Sequence, residues 1–168
     1  MSYQEKRNIV SILTGGAILV AYCLVAWGRY RSGALGPDDL AAWAGLMLVF
    51  IGIGIVASIV IQIVFHILLS ISIAVEKKIQ DQDCEDKEIE KTIKSEMVED
   101  EMGKLIELKA SRAGYFVAGG GFVAALVSLV LKAPPAVMLN IVFLSMSAAS
   151  LIEGFLQLYY FRKGLAHG

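Results

Sequence analysis

The sequence has few of the residues that build disulfide-rich or metal-binding domains. Its 168 residues include two cysteines, two histidines and three prolines. One cysteine, Cys23, lies in an apolar run, and the other, Cys84, lies in a charged segment. Two cysteines cannot by themselves form a disulfide framework or a zinc site, so we expect both to be unpaired.

The chain also lacks an excess of charge of either sign. Its formal net charge is −1, so no bulk positive field favours nucleic acid as a partner. Common active-site patterns are missing as well: we find no nucleophile with a base, no His-Glu-x-x-His, no phosphate-binding loop and no dinucleotide fingerprint. We therefore expect no catalytic activity and no cofactor.

Apolar residues, by contrast, are abundant. They make up 57% of the chain, against about 45–50% in soluble domains, and the mean hydropathy is +0.65. Four apolar runs cover residues 9–27, 40–75, 114–131 and 136–160. About 20 apolar residues cross a hydrocarbon core of about 30 Å. The sequence therefore predicts an all-α fold, a single integral membrane domain with a bundle of four transmembrane helices.

The second run is too long for one crossing, because 36 helical residues extend about 54 Å. The polar segment after it has Ile89, Ile93 and Met97 at spacings of four, as in an amphipathic helix. We predict that residues 76–113 form a cytoplasmic helical hairpin that extends helices two and three, with its turn near residues 81–86. Apolar residues 67–75 then need a covering surface, either the opposite arm or a second subunit. We favour a homo-oligomer, above all a dimer.

The basic residues predict the orientation in the membrane. Two precede the first run, eight lie in the central polar segment and two follow the fourth run, whereas the two short loops together carry three. Cytoplasmic segments are rich in Lys and Arg. We therefore expect both termini in the cytoplasm, with the lipid bilayer as the surrounding medium.

The C-terminal two-fifths of the chain carry a recognisable pattern. Residues 100–116 read Asp-Glu-Met-Gly-Lys-Leu-Ile-Glu-Leu-Lys-Ala-Ser-Arg-Ala-Gly-Tyr-Phe, and residues 153–164 read Glu-Gly-Phe-Leu-Gln-Leu-Tyr-Tyr-Phe-Arg-Lys-Gly. This pattern resembles small uncharacterised four-helix bacterial membrane proteins, often encoded beside a helix-turn-helix regulator, in which an acidic cluster precedes Leu-Ile-Glu. Met102 and Gly103 replace the third and fourth residues of that cluster. The resemblance implies a four-helix fold and the bacterial plasma membrane, and it implies no reaction.

Glu153 is the most informative single residue. An ionisable group in a membrane helix costs at least about 2.5–3.5 kcal/mol near the bilayer centre and is usually functional. Ser150 and Gln157 lie about one turn away on the same face. This polar face either joins helices through hydrogen bonds or handles a proton or cation.

A second polar stripe runs along helix two, where Ser58, Gln62, His66 and Ser70 recur every four residues. Because histidine titrates near neutral pH and a carboxylate would favour its charged form, a pair between His66 and Glu153 is an attractive hypothesis. Depth argues against it, since His66 falls near the inner interface. A structural or interfacial role for this histidine is therefore the alternative to the pair.

Small residues at spacings of four in helix three predict close helix packing: Gly114 with Ala118, Gly120 with Ala124, and Gly121 with Ala125. In the cytoplasmic segment, Glu96 and Asp100 are one turn apart and are the weak candidates for a divalent cation, with a solvated helix face as the alternative.

Two functional classes follow from these patterns. The first is a non-enzymatic interaction or regulatory protein whose cytoplasmic hairpin binds a protein partner. The second is a small proton- or cation-coupled transporter or channel that uses Glu153, with Gln157 and His66, and with Ser150 and Gln62 as further ion-handling candidates. A continuous polar cavity around Glu153 would favour transport, whereas a dry, hydrogen-bonded Glu153 would favour a scaffold.

Overall fold

The structure, a computed structural model, describes residues 3–80 and 101–163. It consists of four helices, α1 (Tyr3–Arg31), α2 (Leu40–Gln80), α3 (Glu101–Val130) and α4 (Pro135–Lys163). Within these ranges there is no strand, which confirms the all-α fold class. All four helices are long and apolar enough to cross a membrane. The predicted turn at residues 81–86, together with Cys84, Glu96 and Asp100, lies outside the described residues.

Local chemistry sets the ends of the helices. After α1 the chain turns through Gly33, whose φ of +75° suits a residue without a Cβ. Asp39 caps α2, because its Oδ1 accepts a hydrogen bond from the backbone N–H of Ala42 at 3.0 Å. Pro135 is the first residue of α4, a position where the missing N–H costs no helical hydrogen bond.

The helices pack in the spatial order α3, α4, α1, α2. Within the described ranges α3 contacts only α4, α4 also contacts α1, and α2 packs on α1 and less extensively on α4. Consecutive helices run antiparallel, so the two short loops lie at one end of the molecule, the loop end. The opposite end, the terminus end, contains the start of α1 and the end of α4, where Asn8 contacts Gly154.

Small residues allow α3 and α4 to approach closely. The buried positions of α3 recur at intervals of three and four residues, or sums of these, as in the seam of a left-handed helix pair: Gly103, Ile106, Ala110, Gly114, Ala125 and Ser128. A Cβ on Gly114 would lie 3.4 Å from the carbonyl oxygen of Ala149, and one on Gly121 would collide with Ser145. Backbone proximity therefore depends on these two glycines.

The other predicted small-residue face of α3 points away from α4. Gly120 and Ala124 are exposed, and a Cβ on Gly120 would meet no atom within 4 Å. Ala118 is half-buried and Ala125 is buried. Packing through Gly120 and Ala124 thus stays a prediction about a surface outside the described residues.

A hydrophobic cluster holds the loop end together. It is built from Tyr22 and Ala26 of α1, Leu35 of the first loop, Trp43, Leu46 and Met47 of α2, and Ala136 of α4. The indole N–H of Trp43 donates to the carbonyl of Gly36 at 2.9 Å, so this buried ring keeps its polar group paired. The cluster fixes the first loop against three helices.

Away from this cluster α2 is poorly covered. None of its most apolar 18-residue window is buried, and Ile63, Ile67 and Ile71 each expose more than half of their surface. The described part of α3, which includes only residues 101–113 of the predicted opposite arm of the hairpin, makes no contact with α2. Whatever covers this apolar helix lies outside the described residues of this chain.

The glycines of α3 give a matched test of the packing. Gly121→Ala should lower the stability of the bundle by about 1–3 kcal/mol, because the added methyl collides with Ser145 and forces the helices apart. Gly120→Ala, one residue away, meets open space and should leave stability unchanged or slightly raised, since Ala favours helix. Unfolding of both variants in detergent would measure the difference, and equal stabilities would contradict this packing.

Candidate functional site

Glu153 lies where α4 meets α3. Its Oε1 accepts a hydrogen bond from the hydroxyl of Ser111 in α3. The side-chain N–H of Gln157 approaches the same oxygen at 3.4 Å, one turn along α4. The polar face predicted from the sequence thus acquires a partner from a neighbouring helix, Ser111, which the sequence reasoning did not identify.

Gly114 makes room for this carboxylate. A Cβ at that position would lie 3.4 Å from Oε2 of Glu153 and 3.6 Å from its Cβ, tight enough that a larger side chain would have to displace the carboxylate. One glycine therefore serves two purposes: it lets α3 and α4 approach, and it leaves space for the only ionisable side chain at this level of the described α4.

Glu153 also lines a cavity of about 970 Å³ bounded by α1, α2 and α4. Among the described residues around this cavity, Glu153 is the only ionisable one. The polar groups near it come from all three helices and include Asn8, Ser11, Ser58, Gln62, Ser150 and Gln157. The rest of the wall is mainly aliphatic and aromatic. Glu153 therefore borders a largely apolar cavity that amides and hydroxyls also line, while its carboxylate is hydrogen-bonded to Ser111 of α3.

A smaller cavity of about 200 Å³ adjoins the first. The two share a wall formed by Asn8, Ser11, Ser58, Ile61, Gln62 and Gln157. The smaller one is also lined by Arg7, Glu107 and Phe161, which belong to the terminus end of the molecule. Charged and polar residues thus line the space between the terminus end and the level of Glu153.

The loop end of the large cavity is closed by aromatic residues. Phe50 and Phe143 line the cavity there, and both rings pack on Tyr22, at centroid distances of 5.5 Å and 4.3 Å. The Tyr22 hydroxyl donates to Oδ1 of Asn140 at 2.7 Å, which ties α1 to α4 at this level. The aromatic cluster therefore bounds the large cavity towards the loop end, and the smaller cavity adjoins it towards the terminus end.

Close packing of α1 on α4 borders the site. The amide N–H of Asn8 donates to the carbonyl of Gly154 at 2.9 Å, and a Cβ on Gly154 would lie 2.7 Å from Cγ1 of Ile12. Because Gly154 follows Glu153 directly, this contact fixes the backbone that carries the carboxylate.

The polar stripe of α2 divides at this site. Ser58 and Gln62 line both cavities, whereas His66 is exposed and lines neither of them. Ser58 and Gln62 are therefore the polar α2 residues that line the same cavity as Glu153, and the pair between His66 and Glu153 stays a hypothesis without a contact in its favour. In the described ranges no group of three or more His, Cys, Asp or Glu side chains could hold a metal ion.

No family model matches the chain, and comparisons with curated proteins and with solved structures find no match either. The resemblance of the C-terminal part to small four-helix bacterial membrane proteins therefore stays a prediction.

Substitutions at Glu153 separate its hydrogen bonding from its charge. Glu153→Gln keeps an oxygen that can accept from Ser111, so we expect stability close to that of the original protein. Glu153→Leu removes the acceptor and should destabilise the bundle by about 0.6 kcal/mol, the average for hydrogen bonds between membrane helices. Unfolding in detergent would measure both. A leucine variant as stable as the glutamine variant would show that the Ser111 contact contributes nothing to folding.

Proposed function

We propose that this chain is a multi-pass protein of the bacterial plasma membrane that binds and moves a proton or another cation through the cavity at Glu153. The observation that carries the proposal is that Glu153 is the one ionisable side chain among the described residues that line a large cavity between three helices. A purely structural glutamate would need only Ser111 and Gln157, and it would need no cavity beside it.

The proposed orientation places both termini and the terminus end in the cytoplasm, in a four-helix bundle whose helices two and three continue into a cytoplasmic hairpin. Basic residues support this orientation. The terminus end carries Lys6, Arg7, Lys104, Lys109, Arg112, Arg162 and Lys163, and the loop end carries Arg29, Arg31 and Lys132. Positive charge is concentrated on the cytoplasmic side of membrane proteins.

Aromatic residues support the same placement of the bilayer. Near the terminus end, Nζ of Lys109 lies 5.1 Å from the centre of the Tyr160 ring, and Nζ of Lys163 lies 5.2 Å from that of Tyr159. Trp27 and Tyr30 stack near the loop end. Amphipathic rings of this kind are enriched at the two membrane interfaces. In this orientation the cavity opens towards the cytoplasm and is closed towards the outside.

The mechanism follows from this asymmetry. A proton or cation enters from the cytoplasmic side past Arg7 and Glu107, and it binds at the Glu153 carboxylate, where Gln62, Gln157 and Asn8 supply further oxygen atoms. Release to the outside requires the contacts of Tyr22 with Phe50 and Phe143 to open, so the transport cycle alternates between two arrangements of the same helices. Equal binding in both arrangements would drive no shift between them.

A second candidate function rests on the uncovered part of α2. Ile67, Leu68, Ile71 and Val75 each expose about half of their surface, at the end of a helix about 60 Å long. A membrane-associated interaction or regulatory protein would use this extension, with the hairpin beyond it, to bind a second copy or a cytoplasmic protein. Transport measurements distinguish the two candidates, because only the first requires flux.

Topology is directly measurable. Reporter proteins fused after Gly168 or inserted within residues 81–86 should report the cytoplasm, and one inserted at Gly33 should report the exterior, because the basic residues concentrate at the terminus end. An external reading after Gly168 would break the arrangement of four crossings and would reverse the direction in which the cavity opens.

The role of Glu153 is measurable in reconstituted vesicles. The original protein should carry protons or a cation in a pH-dependent manner, and Glu153→Gln should abolish that flux while the folded protein persists, because the amide keeps the shape and removes the ionisation. Glu101→Gln, the same change at an exposed carboxylate, is the matched control and should retain flux. Equal flux by the original protein and Glu153→Gln at every pH would rule out this mechanism.

A further inference from the structure

The large cavity has an unusual combination of properties for a site that handles a small inorganic cation. Such ions bind where several protein oxygen atoms converge and water molecules complete the coordination shell. Here one carboxylate lies at the edge of a space of about 970 Å³ whose wall is otherwise largely apolar, with Ile12, Ile18, Ile51, Leu139 and Met146 among its members. Most of that wall offers nothing to a hydrated ion.

The volume corresponds instead to an organic molecule. Ligand pockets for drug-sized molecules measure about 300–1,000 Å³ and are lined mainly by apolar and aromatic groups, with a few polar groups that fix orientation. Phe50 and Phe143 supply ring faces and edges in this cavity, and aromatic rings attract organic cations. Glu153 is the only ionisable residue among the described residues that line the cavity, so the electrostatic preference is for positive charge.

The cavity is also accessible from the side. Ile55 and Ile59 line it, yet each leaves more than half of its surface exposed. Because α2 packs only lightly on α4, the space between these helices is not sealed. A molecule dissolved in the bilayer could therefore reach Glu153 without crossing the aqueous phase, a route open to a lipophilic cation and closed to a hydrated one.

We propose that the ligand of this cavity is a lipophilic organic cation, a molecule with one delocalised or quaternary positive charge surrounded by apolar groups. Its charge is balanced by Glu153 and its apolar groups contact the aliphatic and aromatic wall. This inference rests on the proposed function, since it names the substrate class of the same site.

Two ions of nearly identical shape and opposite charge test the proposal. The original protein in lipid nanodiscs is dialysed against radiolabelled tetraphenylphosphonium or tetraphenylborate, with empty nanodiscs as the measure of partition into lipid. We expect saturable binding of the phosphonium above the empty discs and none of the borate. Saturable binding of both ions, or of neither, would overturn the proposal.

Two pairs of variants assign the binding to the cavity. Glu153→Gln should weaken phosphonium binding about tenfold or more, because an opposite charge is lost from a poorly screened site, whereas Glu101→Gln should not. Ile55→Trp fills the cavity and should also reduce binding, whereas Ile53→Trp, on the same helix but outside the cavity wall, should not. Thermal unfolding of each variant confirms that it is folded. Unchanged binding in folded Glu153→Gln or Ile55→Trp would overturn the proposal.

The same preparations separate this inference from the proposed function. Proton or inorganic-cation flux that depends on Glu153, without phosphonium binding, would overturn the lipophilic ligand and leave the transport function in place. Phosphonium binding that depends on Glu153, without flux of any tested ion, would support the ligand class and overturn transport.

Discussion

The distance between α3 and α4 determines what Glu153 can do. If the two backbones were farther apart, the hydroxyl of Ser111 could not reach the carboxylate, and a side chain larger than that of alanine at Gly114 would displace the carboxylate. The glycines that permit this approach cost helix propensity, about 1 kcal/mol each relative to Ala. That cost is offset by packing and by one hydrogen bond between helices, which together keep an ionisable group in a defined position inside an apolar bundle.

The molecule combines two kinds of helix packing. The pair α3 and α4 is in close contact at Gly114 and at Gly121. The pair α1 and α2 is held at the loop end by Tyr22, Trp43 and Met47, and beyond that cluster α2 loses its neighbours. The cavity is a direct result of this difference. Its α1 wall is attached to α4 through Asn8 and Tyr22, whereas its α2 wall is attached mainly at the loop end. The polar residues of the site come from both walls, so the carboxylate is fixed while Ser58 and Gln62 lie on the less constrained helix.

Local sequence features predicted the helices and the polar face of α4, because hydropathy and a spacing of four residues are properties of a single helix. Ser111 was missed for the opposite reason: its role depends on the packing of α3 against α4, and a serine in a mixed segment gives no local signal.

The triplet Gly119 to Gly121 could not be resolved either, since successive helical residues point about 100° apart and each glycine offers a different face. Only the position of Ser145 identifies Gly121 as the contact. The aromatic closure at Tyr22 likewise brings together three separate helices, and no pattern within one of them reveals it.

The length of α2 has a mechanical consequence. A rigid rod of about 60 Å that is fixed at one end is a lever, and a rotation of about 10° at the fixed end displaces the free end by about 10 Å. The fixed end of α2 is the aromatic and aliphatic cluster at the loop end, and the wall of the cavity lies between the pivot and the free end. Small rearrangements around Trp43 and Phe50 would therefore appear, amplified, at Gln80. Conversely, a partner that binds the Gln80 end of α2 would set the width of the cavity about 30 Å away.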